Sequence, residues 1–472
     1  MVSPHPLELP EVILCVAKFV PDYGRPICAR VSKVWYQAFS LTIWRHLKLG
    51  YGKTRPSSTA LFKHHHLIKA FELNGDPKLT DEPLSFPNLE FLRLSAGKKG
   101  EPNFSDWVIA HPSLTRLSLD QFMDSSLSAL WENLVGFRHL RDLTLSRVSI
   151  VNADLDTFWQ LCTHLERLNL REVRIPGEGN LSSMEFPSMK EVQVWNINSG
   201  VAVNLEFLRR CPHLAAFTWI SWNRLVDEQF VAEFNPLIDA RTWPDLHEFC
   251  VRSQSITQED LSKILSCMKR ITALDIRTIK KVFGPESMDQ IQPHFANLGA
   301  LYIESRRGIT SMMSQEILTC CPLLEKFWGY QMDATDIVEG RPWVCLRLQE
   351  FAACFCFTPS NITQLQPLVF EQLSKLTKLR RLFLDSNGAS GFQETIDLRL
   401  ENGLGKLSSL RSLSSISFID TEQKMQEQEI DWMVENWTSL EEVYGLLNTR
   451  ESDDQKAMKR RLQRNGVRVF LE

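Results

Sequence analysis

The chain has 472 residues, 43% of them apolar and 23% charged, with a net charge of −4 and a pI near 6.3. That length exceeds what one compact core accommodates, so several domains or a repeat array are expected. The mild acidity gives no footprint for nucleic acid. The longest apolar run near the N-terminus, VILCVA, is too short for a signal-peptide core and far below the roughly 20 residues that span a membrane. A cytoplasmic and/or nuclear protein without a membrane partner is predicted. Eleven cysteines, with no CxxC pair, read as free thiols of a reducing compartment.

Residues 1–50 read as a separate all-α head of three short helices. Pro10 suits a first helical turn and Glu11 its positive end. Val12, Ile13, Val16, Phe19 and Val20 then form a helical stripe, and PDYGRP breaks it. A second helix over ICARVSKVWYQAF presents Ile27, Val31, Val34, Trp35 and Phe39, and a third over LTIWRHLKL presents Ile43, Trp44 and Leu47. Some 43 residues lie at the lower limit of independent stability, so this head is expected to dock on something. Residues 51–64 read as a linker. The histidines at 64–66 point different ways and have no carboxylate or cysteine at ligand spacing, so no metal and no cofactor are expected.

From residue 65 to 472 one phrase recurs, as in FPNLEFLRLS, HPSLTRLSLD, FRHLRDLTLS and CTHLERLNLR: an apolar anchor, then apolar residues three and five positions on. The anchors are Ile68, Leu89, Leu114, Leu140, Leu165, Met189, Leu214, Leu246, Ile271, Leu298, Leu324, Leu348, Leu379, Leu413 and Leu440, and eight of the fourteen spacings are 24–26 residues. That period fits a leucine-rich repeat. The alternation predicts a short strand after each anchor, and segments such as SLSALWENLVGF and DLSKILSCMKRI predict helices between them. Such units bury their apolar sides only by stacking. The predicted fold is an α/β leucine-rich-repeat solenoid of about 14–15 irregular repeats, with parallel strands on the concave face and helices outside. Phase weakens where Gly329 and Ala353 replace the last apolar residue. The long spacings 214–246, 348–379 and 379–413 predict loops, with ESRRGITSMM and DSNGASGFQET exposed, and the C-terminal helix, Gly turn and strand form a cap.

Three residues before each anchor, Cys162, Cys211, Cys321 and Cys345 alternate with Phe86, Phe137, Phe186, Trp243 and Met268. These cysteines therefore read as packing, as does Cys15, rather than chemistry. The middle outward strand positions include Arg93, Asn169, Gln193, Asp275, Tyr302 and Phe383, and the next ones Arg171, Trp195, Arg252, Arg277 and Asp385. Large and charged residues at such positions suit protein binding. Arg93, Asn169, Arg171, Gln193, Trp195, Trp222, Arg252, Tyr302, Trp328 and Tyr330 are the candidate target-binding residues.

The repeats resemble leucine-rich repeats of the F-box-associated type, and the head resembles the F-box: Leu9, Pro10, Glu11, Ile13, Val16, Val20 and Pro21, then Val31 and Trp35, then Ile43 and Trp44. The acidic residue stands one position tighter than in the common Leu-Pro-x-Glu form, and DYGRP replaces a more usual Asp-Leu pair. The resemblance implies a non-catalytic substrate-recognition subunit of an SCF-type (Skp–cullin–F-box) ubiquitin ligase. Its head would dock a Skp-type adaptor, and through it a cullin, by Leu9, Pro10, Ile13, Val16, Val20, Val31, Trp35 and Trp44, while the repeats hold an unidentified target for ubiquitin-dependent degradation. No phosphate-loop, HExxH or GxSxG motif points to an enzyme. The alternative is a leucine-rich-repeat scaffold or GTPase regulator acting outside ubiquitination.

Overall fold

The computed structural model describes residues 9–20, 24–50, 56–74, 85–96, 104–123, 127–176, 181, 184–196, 201–240, 242–253, 255–277, 283–303, 309–385, 395–448 and 453–471. The chain divides into two compact units, Met1–Leu214 and Ala215–Glu472. The first holds strands β1 (His46–Leu49), β2 (Ala70–Asn74), β3 (Phe91–Ser95), β4 (Arg116–Phe122), β5 (Asp142–Val148), β6 (Arg167–Arg171) and β7 (Glu191–Trp195). They pair in parallel in chain order. The second holds β8 (Ala216–Ile220), β9 (Glu248–Arg252), β10 (Ala273–Asp275), β11 (Ala300–Tyr302), β12 (Lys326–Asp333), β13 (Glu350–Cys356), β14 (Arg381–Phe383), β15 (Ser415–Ser417), β16 (Glu442–Tyr444) and β17 (Arg468–Phe470), again parallel and sequential.

Every predicted anchor is buried and stands two residues ahead of a strand, from Ile68 before β2 to Leu440 before β16. The register is in step, so like positions stack: Leu92, Leu117, Leu143, Leu168 and Val192 form one buried row, and Leu94, Leu119, Leu145, Leu170 and Val194 the next. Helices connect the strands where the sequence predicts them, among them Ser128–Val135, Val201–Arg209 and Gln258–Cys267. Cys162, Cys211, Cys321 and Cys345 are fully buried, and burial pushes the Cys345 thiol up to about 12, as suits packing groups. Cys15 differs from expectation, since it is exposed on the first helix. The C-terminal cap forms as helix Asp453–Arg464, a left-handed Gly466 and β17.

The head departs from expectation in its partition. Its helices are α1 (Pro10–Ala17), α2 (Arg25–Cys28) and α3 (Lys33–Arg45). The predicted second helix is split because Ser32 is extended and its hydroxyl caps α3, accepting from the Trp35 N–H at 3.2 Å. The predicted third helix is the second half of α3, and HLKL is strand β1, paired with β2. The repeat sheet therefore begins at residue 46, and Trp44 holds the anchor offset ahead of β1. Within the predicted linker, Ser57 caps a helix, Ser58–His64. His64 stacks on Trp44 (centroids 4.7 Å apart) and meets the Tyr36 hydroxyl at 3.2 Å, while His65 Nδ1 lies 2.6 Å from the Phe62 carbonyl.

Two long spacings hold helices rather than loops, Arg224–Asp239 and Ile362–Ser374. Residues 304–308 and 386–394 of the two predicted loops lie outside the described residues. At Gly329 and Ala353 the strands do not weaken but lengthen. A bulge between Trp328 and Gln331 brings Met332, fully buried, into the core beside β13, and a Cβ on Gly329 would meet Phe327 at 2.7 Å.

Among the described residues, five other than glycine have left-handed backbone: Gln121, Arg147, Glu172, Asn196 and Asp420. Each lies seven residues past its anchor, Gln121 and Arg147 next to last in β4 and β5 and the others beyond the end of a strand. Such a conformation costs about 1 kcal/mol for most side chains and least for Asn. Glu172 is exposed and contributes its backbone N–H to the Trp195 carbonyl at 2.8 Å. Glu172→Asn should therefore raise the thermal midpoint, by up to about 1 kcal/mol of stability, and Glu172→Val should lower it. Calorimetry of the two variants checks this.

His111 fills a slot given to Phe or Cys in other repeats. Its Nδ1–H donates to the Trp107 carbonyl at 2.6 Å and its Nε2 accepts from the Phe86 N–H at 2.9 Å, so only the neutral ring satisfies both. Burial pushes its pKa below the usual 6.5. The unfolded chain thus binds the proton more readily, and this contribution, complete above pH 6.5, is lost as pH falls from there through the folded value. His64, His164 and His294 shift the same way by burial. Melting should fall between pH 7.5 and pH 5, and His111→Gln, which accepts from Phe86 without titrating, should fall less steeply. The buried bond at stake is worth about 1–3 kcal/mol.

Candidate protein-interaction sites

The head is built around a very small core of Ile13, Ala17, Ala29, Ala38 and Phe39. Trp35 stacks on Phe39 with centroids 5.5 Å apart, and Val20 and Ile43 pack partly against the same core. Outside it stand Phe19 at 87% exposure, Ile27 at 67%, Val31 at 65% and Leu9 at 38%. Of the proposed docking residues, Leu9, Pro10 and Val31 lie on the surface, and Val16, Val20 and Trp35 are half-buried. Ile13 is corrected: it is fully buried and holds the head together. Trp44 is committed to His64 at the start of the sheet. Phe19 and Ile27 belong to the predicted helical stripes but not to the docking set; stripe membership alone does not distinguish the inner edge of a stripe from the outer.

On the outward strand face of the first unit, four predicted residues come together. Asn169 Nδ2 donates to Gln193 Oε1 at 2.9 Å, Arg171 Nε donates to Asn169 Oδ1 at 3.2 Å, and the Arg171 guanidinium lies over the Trp195 ring at 4.9 Å. Gln193 is held in turn by Glu191 at 2.7 Å. Arg93 is exposed in the same row, three strands from Asn169.

The second unit carries a denser cluster. Asp275 accepts from Arg252 Nη2 at 2.8 Å and from Arg277 through Nε at 3.0 Å and Nη2 at 2.7 Å. The Arg277 guanidinium lies against two rings, 4.6 Å from Tyr302 and 4.7 Å from Trp328. Trp328 touches Tyr302 and Phe383, with centroids 6.0 and 5.1 Å away. Its Nε1–H donates to the buried Glu350 carboxylate at 2.5 Å, and Arg381 pairs with the other Glu350 oxygen. Burial, then the nearby Glu350 and Asp275 carboxylates, hold the Tyr302 hydroxyl far above its usual pKa, so it stays a neutral donor. Arg252, Tyr302 and Trp328 were expected here. Asp275, Arg277 and Phe383 complete the cluster from outward positions, and Glu350 and Arg381 from the strand position two residues after the anchor, which the expected set left out. Trp222 is 61% exposed in the turn after β8, away from that strand row, and the Tyr330 side chain lies outside the described residues.

This surface offers half-exposed aromatic rings whose orientation is already fixed by the hydrogen bond to Glu350 and the stacked Arg277 guanidinium. Such groups carry most of the energy of protein interfaces, and prior fixing lowers the entropy lost on binding. Among the described residues no group of three or more His, Cys, Asp or Glu is placed to hold a metal ion, and no helix is long and apolar enough to cross a membrane.

One strand and one connecting helix or turn per repeat, stacked in parallel register, define a leucine-rich-repeat protein. Residues 88–215 match a family model described as "FBD-associated F-box protein At5g56370, LRR repeats". No curated protein shows significant sequence similarity to the chain. Among solved structures, 90% of the chain aligns with the TLR13–ssRNA13 complex at 13% identity and a TM-score of 0.41, covering 66% of that chain. The structure of Rad7 and Elc1 from yeast aligns over 98% of this chain and 92% of that one, at 13% identity and a TM-score of 0.37. A leucine-rich-repeat protein of Leptospira interrogans aligns over 90% and 100%, at 12% and 0.33. At such scores these likenesses carry no functional argument.

Proposed function

We propose that the protein is the substrate-recognition subunit of an SCF-type ubiquitin ligase, non-catalytic itself, with the head docking a Skp-type adaptor and the strand face holding a target protein. The observation that carries this reading is the head's surface. Leu9, Phe19, Ile27 and Val31 remain exposed on a module whose buried core, among the described residues, is five side chains. Burying a large apolar side chain is worth about 1.5–3 kcal/mol, so such a module gains much from a partner that covers it. The similarity of residues 88–215 to repeats of an F-box-associated family supports the same partner class. The bond-making then belongs to other subunits, and this chain supplies proximity, worth several kcal/mol in a bimolecular step. The site of action follows as cytoplasm and/or nucleus.

The test is co-purification of a Skp-type adaptor and a cullin with the full chain from cells. Recovery of both supports the reading; a well-folded chain that recovers neither ends it. Deleting residues 1–50 would be a poor control, because it removes β1 along with the head. Point substitutions at exposed head residues avoid that.

A further inference from the structure

The geometry points to a binding site for a compact polyphosphate in a cleft between the head and the first strands. The cleft, of about 310 Å³, is lined by Lys18, Arg25, Arg45, Lys69 and Arg116, with Glu90 the one carboxylate among the described lining residues. Among the described lining residues, five Lys and Arg side chains against one carboxylate give +4, in a chain whose Lys, Arg, Asp and Glu total −4. Such a concentration of one sign in a concave wall focuses potential on an anion.

The lining groups come from separate elements and converge. Lys18 follows α1, Arg25 opens α2 and Arg45 ends α3, while Lys69 immediately precedes β2 and Arg116 begins β4. Local partners account for only part of this. Lys18 and Arg45 stand at helix C-termini, where a cation gains about 0.3–1 kcal/mol. Lys69 pairs with Glu90 at 2.5 Å, Arg25 Nε donates to the Val20 carbonyl at 3.1 Å, and Arg116 lies over the Phe91 ring at 4.9 Å. The imidazole of His46, which also lines the cleft, shares Glu72 with Lys48, so that carboxylate is already committed. These contacts steer the side chains, and the ring under Arg116 takes none of its charge.

The volume sits at the low end of the about 300–1,000 Å³ usual for small-ligand sites. One phosphate, carrying about −1.5 to −2, neutralises at most half of the excess; two or three joined phosphates match it. Guanidinium forks suit phosphate oxygens, taking them two at a time. The ligand would bridge α1 and α3 to β2 and β4, and so fix the head on the first repeats. The lining shares no residue with the adaptor-docking surface, so losing either function leaves the other standing.

Calorimetric titration of the full chain with tripolyphosphate, against inorganic phosphate and sulfate, tests the assignment. ATP and inositol hexakisphosphate as further arms distinguish a nucleotide source from a cyclitol source. Tripolyphosphate should bind at least tenfold more tightly than inorganic phosphate, raise the melting temperature, weaken with added salt and slow amide exchange in α1 and α3. Lys18→Glu with Arg45→Glu should reduce the affinity at least tenfold, Lys18→Gln with Arg45→Gln by less, and Arg209→Glu, exposed at the end of helix Val201–Arg209 several repeats away, should leave it unchanged. Both target side chains are exposed, so the variants should fold. Equal affinity for phosphate and tripolyphosphate, binding that survives the double reversal, or a doubly phosphorylated peptide binding where no small polyphosphate does would overturn it.

Discussion

Ile27→Asp together with Val31→Asp should abolish retention of the Skp-type adaptor while leaving the melting temperature nearly unchanged. The two side chains are 67% and 65% exposed, so in the free chain the substitution replaces solvated methyl groups by solvated carboxylates. Surface changes of that kind usually stay within about 0.5 kcal/mol. In a complex the same positions would bury two unpaired charges, at several kcal/mol, which is a loss of affinity of a hundredfold or more. Ile13→Asp is the informative contrast. Ile13 is fully buried in the head core, so its loss should unfold the head and remove adaptor binding through instability. Pull-down with purified adaptor, read beside circular dichroism of each variant, separates the two mechanisms.

Trp328→Ala should release the target while the adaptor stays bound. Trp328 is the centre of its cluster: it touches Tyr302 and Phe383, receives Arg277 on its face and is fixed by Glu350. Central, oriented aromatic residues of this kind cost about 2–4 kcal/mol on truncation, a thirtyfold to thousandfold loss. Glu350→Leu should act in the same direction with a smaller effect, because the ring remains but its N–H loses its acceptor and Arg381 its partner. The Glu350–Arg381 pair itself is worth little, since the arginine is half exposed. Enrichment of proteins from cells on wild-type and variant chains, compared by mass spectrometry, reads both effects.

The repeat frame is legible in the sequence because one physical requirement repeats in each unit. Ile68, Leu89 and the other anchors must be apolar and buried, and the two residues that follow at three and five positions share one strand face. Strand β1 escapes this reading because HLKL supplies one short phrase with no helix-and-strand unit before it, although Trp44 stands at the anchor offset. Ser32 carries a local signal, a cap residue inside an apparently continuous helix, that the apolar stripe around it hides. The left-handed backbone at Gln121, Arg147 and Glu172 leaves no signature, since those side chains do not favour it. At the site, the outward rows identify Asn169, Arg171, Gln193 and Trp195 as neighbours in register. They do not reveal that Glu350 is buried beneath Trp328, because an acidic residue at the first strand position reads as solvated. The basic cleft is equally hidden, assembled from Lys18, Arg45 and Arg116 across nearly a hundred residues.

The most direct measurement follows one protein that the Trp328 surface retains, in cells where the chain carries either its native head or the Ile27→Asp, Val31→Asp pair. If head and repeats act as proposed, that protein is ubiquitinated and short-lived with the native head, and accumulates unmodified with the altered one. A retained protein whose ubiquitination and half-life are the same with both heads would contradict the account.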